Sequence, residues 1–100
     1  VALERGNAVL GASELADLPD IHPLVAARAL ATSIGGTPIV DEAIATARHL
    51  RAFLNNGSTR QYSFLRGGAL GWGMPAAVGF SLGLERQPVV SLVGDGAAMY

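Results

Sequence analysis

The chain has 100 residues, half of them hydrophobic and only 15% charged, with a formal net charge of −1 and no cysteine. That length allows about one small domain. The composition excludes disulfides and thiolate zinc sites, offers no Lys/Arg cluster for nucleic acid, and has no apolar run approaching the roughly 18 to 20 residues of a membrane span.

Mean hydropathy is +0.36, oily for so short a chain, so its core is expected to have partners: more chain, another subunit, or both. The opening VALERGNAVLGAS has no basic stretch followed by an apolar one. A signal peptide is therefore not expected, and the cytoplasm is the expected compartment.

In chain order, residues 1–20 show no sustained period and read as a linker or the end of a preceding domain. DIHPLVAARALATSIGG reads as a helix. Asp20 is placed to cap it, Pro23 suits its first turn, and Leu24, Ala27, Ala31 and Ile34 share one face before Gly35 and Gly36 stop it. TPIVDEA follows as a short buried strand. A second helix is expected over about 43–54, with Ala43, Ala47, Leu50 and Leu54 on its apolar side. NNGSTRQ, with Asn55 and Asn56, reads as a turn-rich loop, and YSFL as a short strand. The glycine-dense RGGALGWGMP leads into a third helix, 74–84, with Met74, Ala77, Val78, Ser81 and Leu82 on one face. QPVVSLV then reads as a continuous apolar strand of the kind found inside parallel sheets. The order predicts an α/β fold, doubly wound, with a mostly parallel sheet and helices on both faces.

Ligands of such sheets sit beyond the carboxyl ends of the strands. Two strand exits carry acids, Asp41-Glu42 and Asp95, and Asp95 is the sharper candidate. Gly94 and Gly96 would let the backbone turn tightly beside it, and its hard oxygen suits Mg²⁺ shared with phosphate. A plain D-G turn is the bland alternative. GWGMPA, Gly71 to Ala76, also fits G-x-G-x-x-A with Asp95 about 20 residues further on, so a dinucleotide-binding Rossmann site competes. Pro75 counts against it, because it removes an N–H from the helix start. His22 and His49 read as structural or solvent-facing, Trp72 and Phe80 as core, and Arg66 as an anion contact or a surface residue.

RGGALGWGMPAAVGFSLGLERQPVVSLVGDGAAMY resembles the cofactor-binding (PP) domain of thiamine-diphosphate-dependent enzymes. It is most similar to benzoylformate decarboxylases, with acetolactate synthases next. The resemblance covers residues 21–100, strongly from Gly67 onward, as the N-terminal portion of that domain.

It implies thiamine diphosphate and Mg²⁺ as cofactors, with Asp95 as the metal ligand. Gly94, Gly96, Ala97 and Ala98 would offer backbone to the diphosphate, and Ile44 and Ala45 lie where relatives contact its oxygens. Gly68 would give a carbonyl to the aminopyrimidine, and Leu70 would be the apolar wedge that bends the cofactor. The implied substrate is a small-molecule 2-oxo acid, in a homodimer or homotetramer, with no nucleic acid and no membrane.

Three departures qualify it. Ile44, Ala45 and Ala97 lack the hydroxyls common at their positions. The Asn-Asn pair expected downstream of G-D-G is not met before Tyr100, and Asn55-Asn56 cannot replace it. The activating glutamate belongs to a separate domain. The chain is thus expected to be a fragment of a 2-oxo acid decarboxylase, inactive alone with no catalytic residue of its own; an acetolactate synthase-type carboligase, the NAD- or FAD-binding Rossmann domain and a non-catalytic domain that has lost its cofactor are the alternatives.

Overall fold

The computed structural model describes residues 2–54 and 61–100; the predicted Asn55-Asn56 turn lies outside them. Eight elements occur in the order α1 (Ala2–Leu15), α2 (Pro23–Ser33), β1 (Ile39–Glu42), α3 (Ala47–Phe53), β2 (Tyr62–Phe64), α4 (Gly73–Gly83), β3 (Val90–Val93) and α5 (Asp95–Ala98). They form two compact units, one holding α1, α2 and α3, the other the three strands with α4 and α5. None of the described helices is long and apolar enough to cross a membrane.

The helical unit departs from the sequence reading in three places. Residues 2–15, read as lacking any period, form a helix. Its buried side is made of Ala8 and Ala12, with Gly11 close enough to Leu24 that an added Cβ would lie 3.1 Å from its Cδ2. Small residues allow that approach without giving a strong hydropathy pattern. The cap of α2 is His22, whose Nδ1 accepts the Leu24 N–H at 3.1 Å, rather than Asp20. Pro23 occupies the first turn as expected. Helix α3 begins at Ala47 rather than near Ala43. The Asp41 carboxylate captures the Ala43 amide at 2.8 Å in a local turn, and Ile44 then takes φ +45°, which no helix continues through. The buried side of α3 is Ala47, Leu50 and Phe53.

The second unit is built on an all-parallel sheet of order β2-β1-β3. The α/β class and parallel sheet predicted from sequence are present. β1 is central and all four of its residues are buried. β3 is an edge strand among the described residues, half-buried rather than covered on both sides. Register sets Asp41 opposite Phe64 and Glu42 opposite Val93. The carboxyl ends of all three strands are therefore level. Helix α4 packs on β1 and β3, but Met74, Val78 and Leu82 stay 53–61% exposed. The expected buried face is thus largely open. A helix apolar on every side gives no periodic signal from which to choose a face.

Two outcomes follow from this packing. Ile39 has no exposed surface, so Ile39→Ala should lower unfolding free energy by about 2–5 kcal/mol, read as a reduced denaturant midpoint. His49 is held below the ordinary histidine value of 6.5 by burial, by the Arg48 guanidinium and by His22, whose ring meets it edge-on at 6.1 Å. The unfolded chain then takes up this proton first as pH falls. The His49 contribution should be flat above about pH 6.5 and lost as pH drops from there toward the folded value. Denaturant titrations between about pH 7.5 and 5.5 should show that loss, reduced in His49→Gln.

Candidate cofactor site at the carboxyl edge of the sheet

Successive strand residues face opposite sides, and the two acids at the end of β1 part accordingly. Asp41 is 2% exposed; one oxygen takes the Ala43 amide and the other accepts the Tyr62 hydroxyl from β2. Glu42 is 1% exposed and faces the start of α4. Its Oε1 accepts the Gly71 N–H and its Oε2 the Gly73 N–H, both at 2.6 Å. Gly73 opens α4, whose cap residue Trp72 gives no side-chain cap. A strand carboxylate therefore satisfies an amide that helix geometry leaves unpaired, at the positive end of the helix dipole. Contact is tight enough to forbid a side chain. A Cβ at Gly73 would meet Glu42 Oε2 at 2.7 Å, Glu42 Cβ at 2.9 Å and Val93 Cγ2 at 3.1 Å.

The segment before α4 is shaped by glycine. Gly67 and Gly68 take φ of +77° and +75° and Gly71 +91°, a region side chains strongly disfavour. Gly71 also packs on Tyr100, where a Cβ would come within 2.8 Å of the tyrosine Cβ. By contrast, Gly94 is ordinarily extended, neither Gly94 nor Gly96 has positive φ, and a Cβ at either would meet nothing within 4 Å. The backbone freedom assigned from sequence to the G-D-G turn is needed in the 67–71 segment instead.

Asp95 is exposed, the first residue of α5 just past the end of β3. Its carboxylate makes no hydrogen bond or ion pair among the described residues. Ala97 is buried, and with Ala98 it lines a pocket of about 130 Å³ together with Glu42, Gly71, Pro75 and Tyr100. Gly68 is exposed and Leu70 43% exposed on the glycine segment. Ile44 lies on the sheet unit, 61% exposed in its left-handed conformation, while Ala45 belongs to the helical unit. Arg66 lies over the Phe64 ring at 5.6 Å and lines a second pocket, of about 260 Å³, with Trp72 and Ala69. The structure thus gathers Ala97 and Ala98 with the glycine segment. The role of Glu42 was missed, since acids at a strand exit were weighed only as ligands. The available signal was an acid inside an apolar strand with a G-x-G still to come.

This geometry disposes of the dinucleotide alternative. The Gly71 and Gly73 amides that a pyrophosphate would need are held by Glu42, and Pro75 has no N–H to offer. A family model described as "Thiamine pyrophosphate enzyme, C-terminal TPP binding domain" matches residues 34–100. The chain belongs to that family. It is 49% identical over 39 residues to a benzoylformate decarboxylase of Pseudomonas aeruginosa, covering 39% of this chain and 7% of that protein. To a putative acetolactate synthase large subunit of Mycobacterium tuberculosis it is 53% identical over 36 residues, or 36% of this chain and 7% of the relative. The matched stretch spans only 7% of the length of either relative. No solved structure matches.

A matched pair of glycine variants tests the tight contact. Gly73→Ala should destabilise by about 1–3 kcal/mol through overpacking. Gly79→Ala, where an added Cβ meets nothing, should stabilise by about 0.5–1 kcal/mol. Chemical unfolding of both variants measures the difference in sign.

Proposed function

We propose that this TPP-binding domain supplies the diphosphate and metal side of a Mg²⁺-dependent thiamine diphosphate site, and that the protein carrying it is a 2-oxo acid decarboxylase of the benzoylformate decarboxylase kind. The observation that carries the proposal is Asp95. Two of the three acids at this sheet edge are committed to protein donors, and Asp95 alone is exposed.

The residues fit a magnesium–diphosphate group. Among the described residues no cluster of three or more His, Asp or Glu side chains could hold a metal, and with Asp41 and Glu42 bonded to protein donors a cation at this edge would have to suit the single carboxylate of Asp95. Mg²⁺ does, because it is held by one or two carboxylates and completes its shell with water and phosphate oxygens. Amides at Gly96 and Ala97, in the first turn of α5, have no partner within the helix by geometry. They replace the hydroxyls that Ile44, Ala45 and Ala97 lack. When bound, thiamine diphosphate supplies a nucleophilic carbon for the 2-oxo carbonyl and an electron sink while carbon dioxide leaves. The part of this chain is to orient it: Asp95 through the metal, Gly94 to Ala98 along the diphosphate, and Gly68 and Leu70 against the ring system. Assembly as a homodimer or homotetramer belongs to the same proposal.

An acetolactate synthase-type carboligase is the second reading, favoured by the mycobacterial relative. In the full-length protein, Asp95→Ala should weaken Mg²⁺-dependent thiamine diphosphate binding at least tenfold, the equivalent of about 1.4 kcal/mol, by calorimetric titration. Unchanged affinity would refute the role given to Asp95, and a domain that has lost its cofactor would show no binding in the unsubstituted protein. Product analysis separates the two chemistries: a free aldehyde and carbon dioxide from the decarboxylase, a 2-hydroxy-2-alkyl acid from the carboligase.

A further inference from the structure

Glu42 combines features that a capping role alone does not require. It is 1% exposed, and both its oxygens are taken by backbone amides two residues apart, at 2.6 Å each. One amide, Gly73, belongs to α4. The other, Gly71, lies outside the helix, in left-handed backbone, and directly follows Leu70. The carboxylate therefore fixes the peptide next to Leu70 as well as the helix start. A rigid base on one side is matched by exposure on the other, since Leu70 and Gly68 both face outward. Three left-handed glycines at 67, 68 and 71 give the segment many alternative conformations in the absence of a restraint.

We propose that Glu42 is the positioning residue of the 68–73 segment, selecting the one loop conformation in which Leu70 and the Gly68 carbonyl meet the cofactor's rings. The proposal rests on the thiamine diphosphate reading above. It assigns the two ends of the cofactor to different carboxylates: Asp95 acts on the diphosphate, Glu42 acts through Leu70 on the rings. Glu42 touches no ligand in this scheme. Neutralising it places an amide NH₂ against one of the two N–H donors, so one restraint becomes a repulsion.

The division gives a test with two probes, thiamine diphosphate and inorganic pyrophosphate, each with Mg²⁺ on the full-length protein. Glu42→Gln should raise the thiamine diphosphate Kd about tenfold, the order of one charge-assisted hydrogen bond, and leave the pyrophosphate Kd unchanged. Asp95→Ala should weaken both. In a Leu70→Ala background the Glu42→Gln loss should shrink rather than add, because both act on one contact. Equal weakening of both ligands by Glu42→Gln, no weakening of either, or full additivity with Leu70→Ala overturns the proposal. Asp95→Ala that leaves both ligands bound refutes the cofactor reading instead, whatever Glu42 does. Glu42→Asp, which keeps the charge but withdraws it by one methylene, carries the same comparison if Glu42→Gln does not fold. Loss of folding in both variants assigns Glu42 to stability alone and also overturns the proposal.

Discussion

A carboxylate buried to 1% exposure is tolerable only where donors replace the water it has lost, and at Glu42 those donors are two backbone amides. Much of the sheet unit follows from that requirement. β1 must end in register with Val93 so that Glu42 stands level with the start of α4. Residue 73 must have no side chain, and residue 71 must turn through left-handed backbone. Since these demands meet at one side chain, the start of α4 cannot shift along the sheet without exposing a charge or orphaning two amides.

The sheet edge is thereby sorted electrostatically. Three carboxylates lie at the exits of neighbouring parallel strands. Asp41 is occupied by the Tyr62 hydroxyl and the Ala43 amide, and Glu42 by Gly71 and Gly73. Their charges are spread over fixed protein dipoles. Asp95 is left as the acid whose oxygens face outward, beside buried Ala97 and the pocket it lines with Ala98. One acid at this edge is thus left available rather than three in competition.

What could be read from the sequence was whatever depends on neighbours in the chain. The G-x-G-x-P helix start, the apolar strand after it and the G-D-G exit are local patterns, and they carried both the fold class and the family. Interactions across the fold were not legible. The partners of Glu42 lie 29 and 31 residues away, so an acid inside an apolar strand was the one local sign of it and did not say what it would meet. Helix α3 starts late because the Asp41 side chain takes the Ala43 amide, a competition that periodicity cannot see. Helix α1 was overlooked because its buried residues are Ala8 and Ala12, with Gly11 close against Leu24, so that close approach rather than bulk makes the contact. In α4 the failure is opposite: with apolar residues all around, pattern could not say that Met74, Val78 and Leu82 would face out.

The long reach of the Glu42 bonds also bears on when the site takes shape. Closing a loop of some thirty residues requires the two ends to be brought together against chain entropy, and here one end is the central strand. The 68–73 segment therefore cannot settle before β1 is in place, and it cannot loosen fully without uncovering a charge at the end of the central strand. The amide protons of Gly71 and Gly73, both bonded to Glu42, are expected to exchange with the opening of the sheet rather than with that of surface loops. The glycine-rich rim, exposed though it is, inherits the lifetime of the strand beneath it.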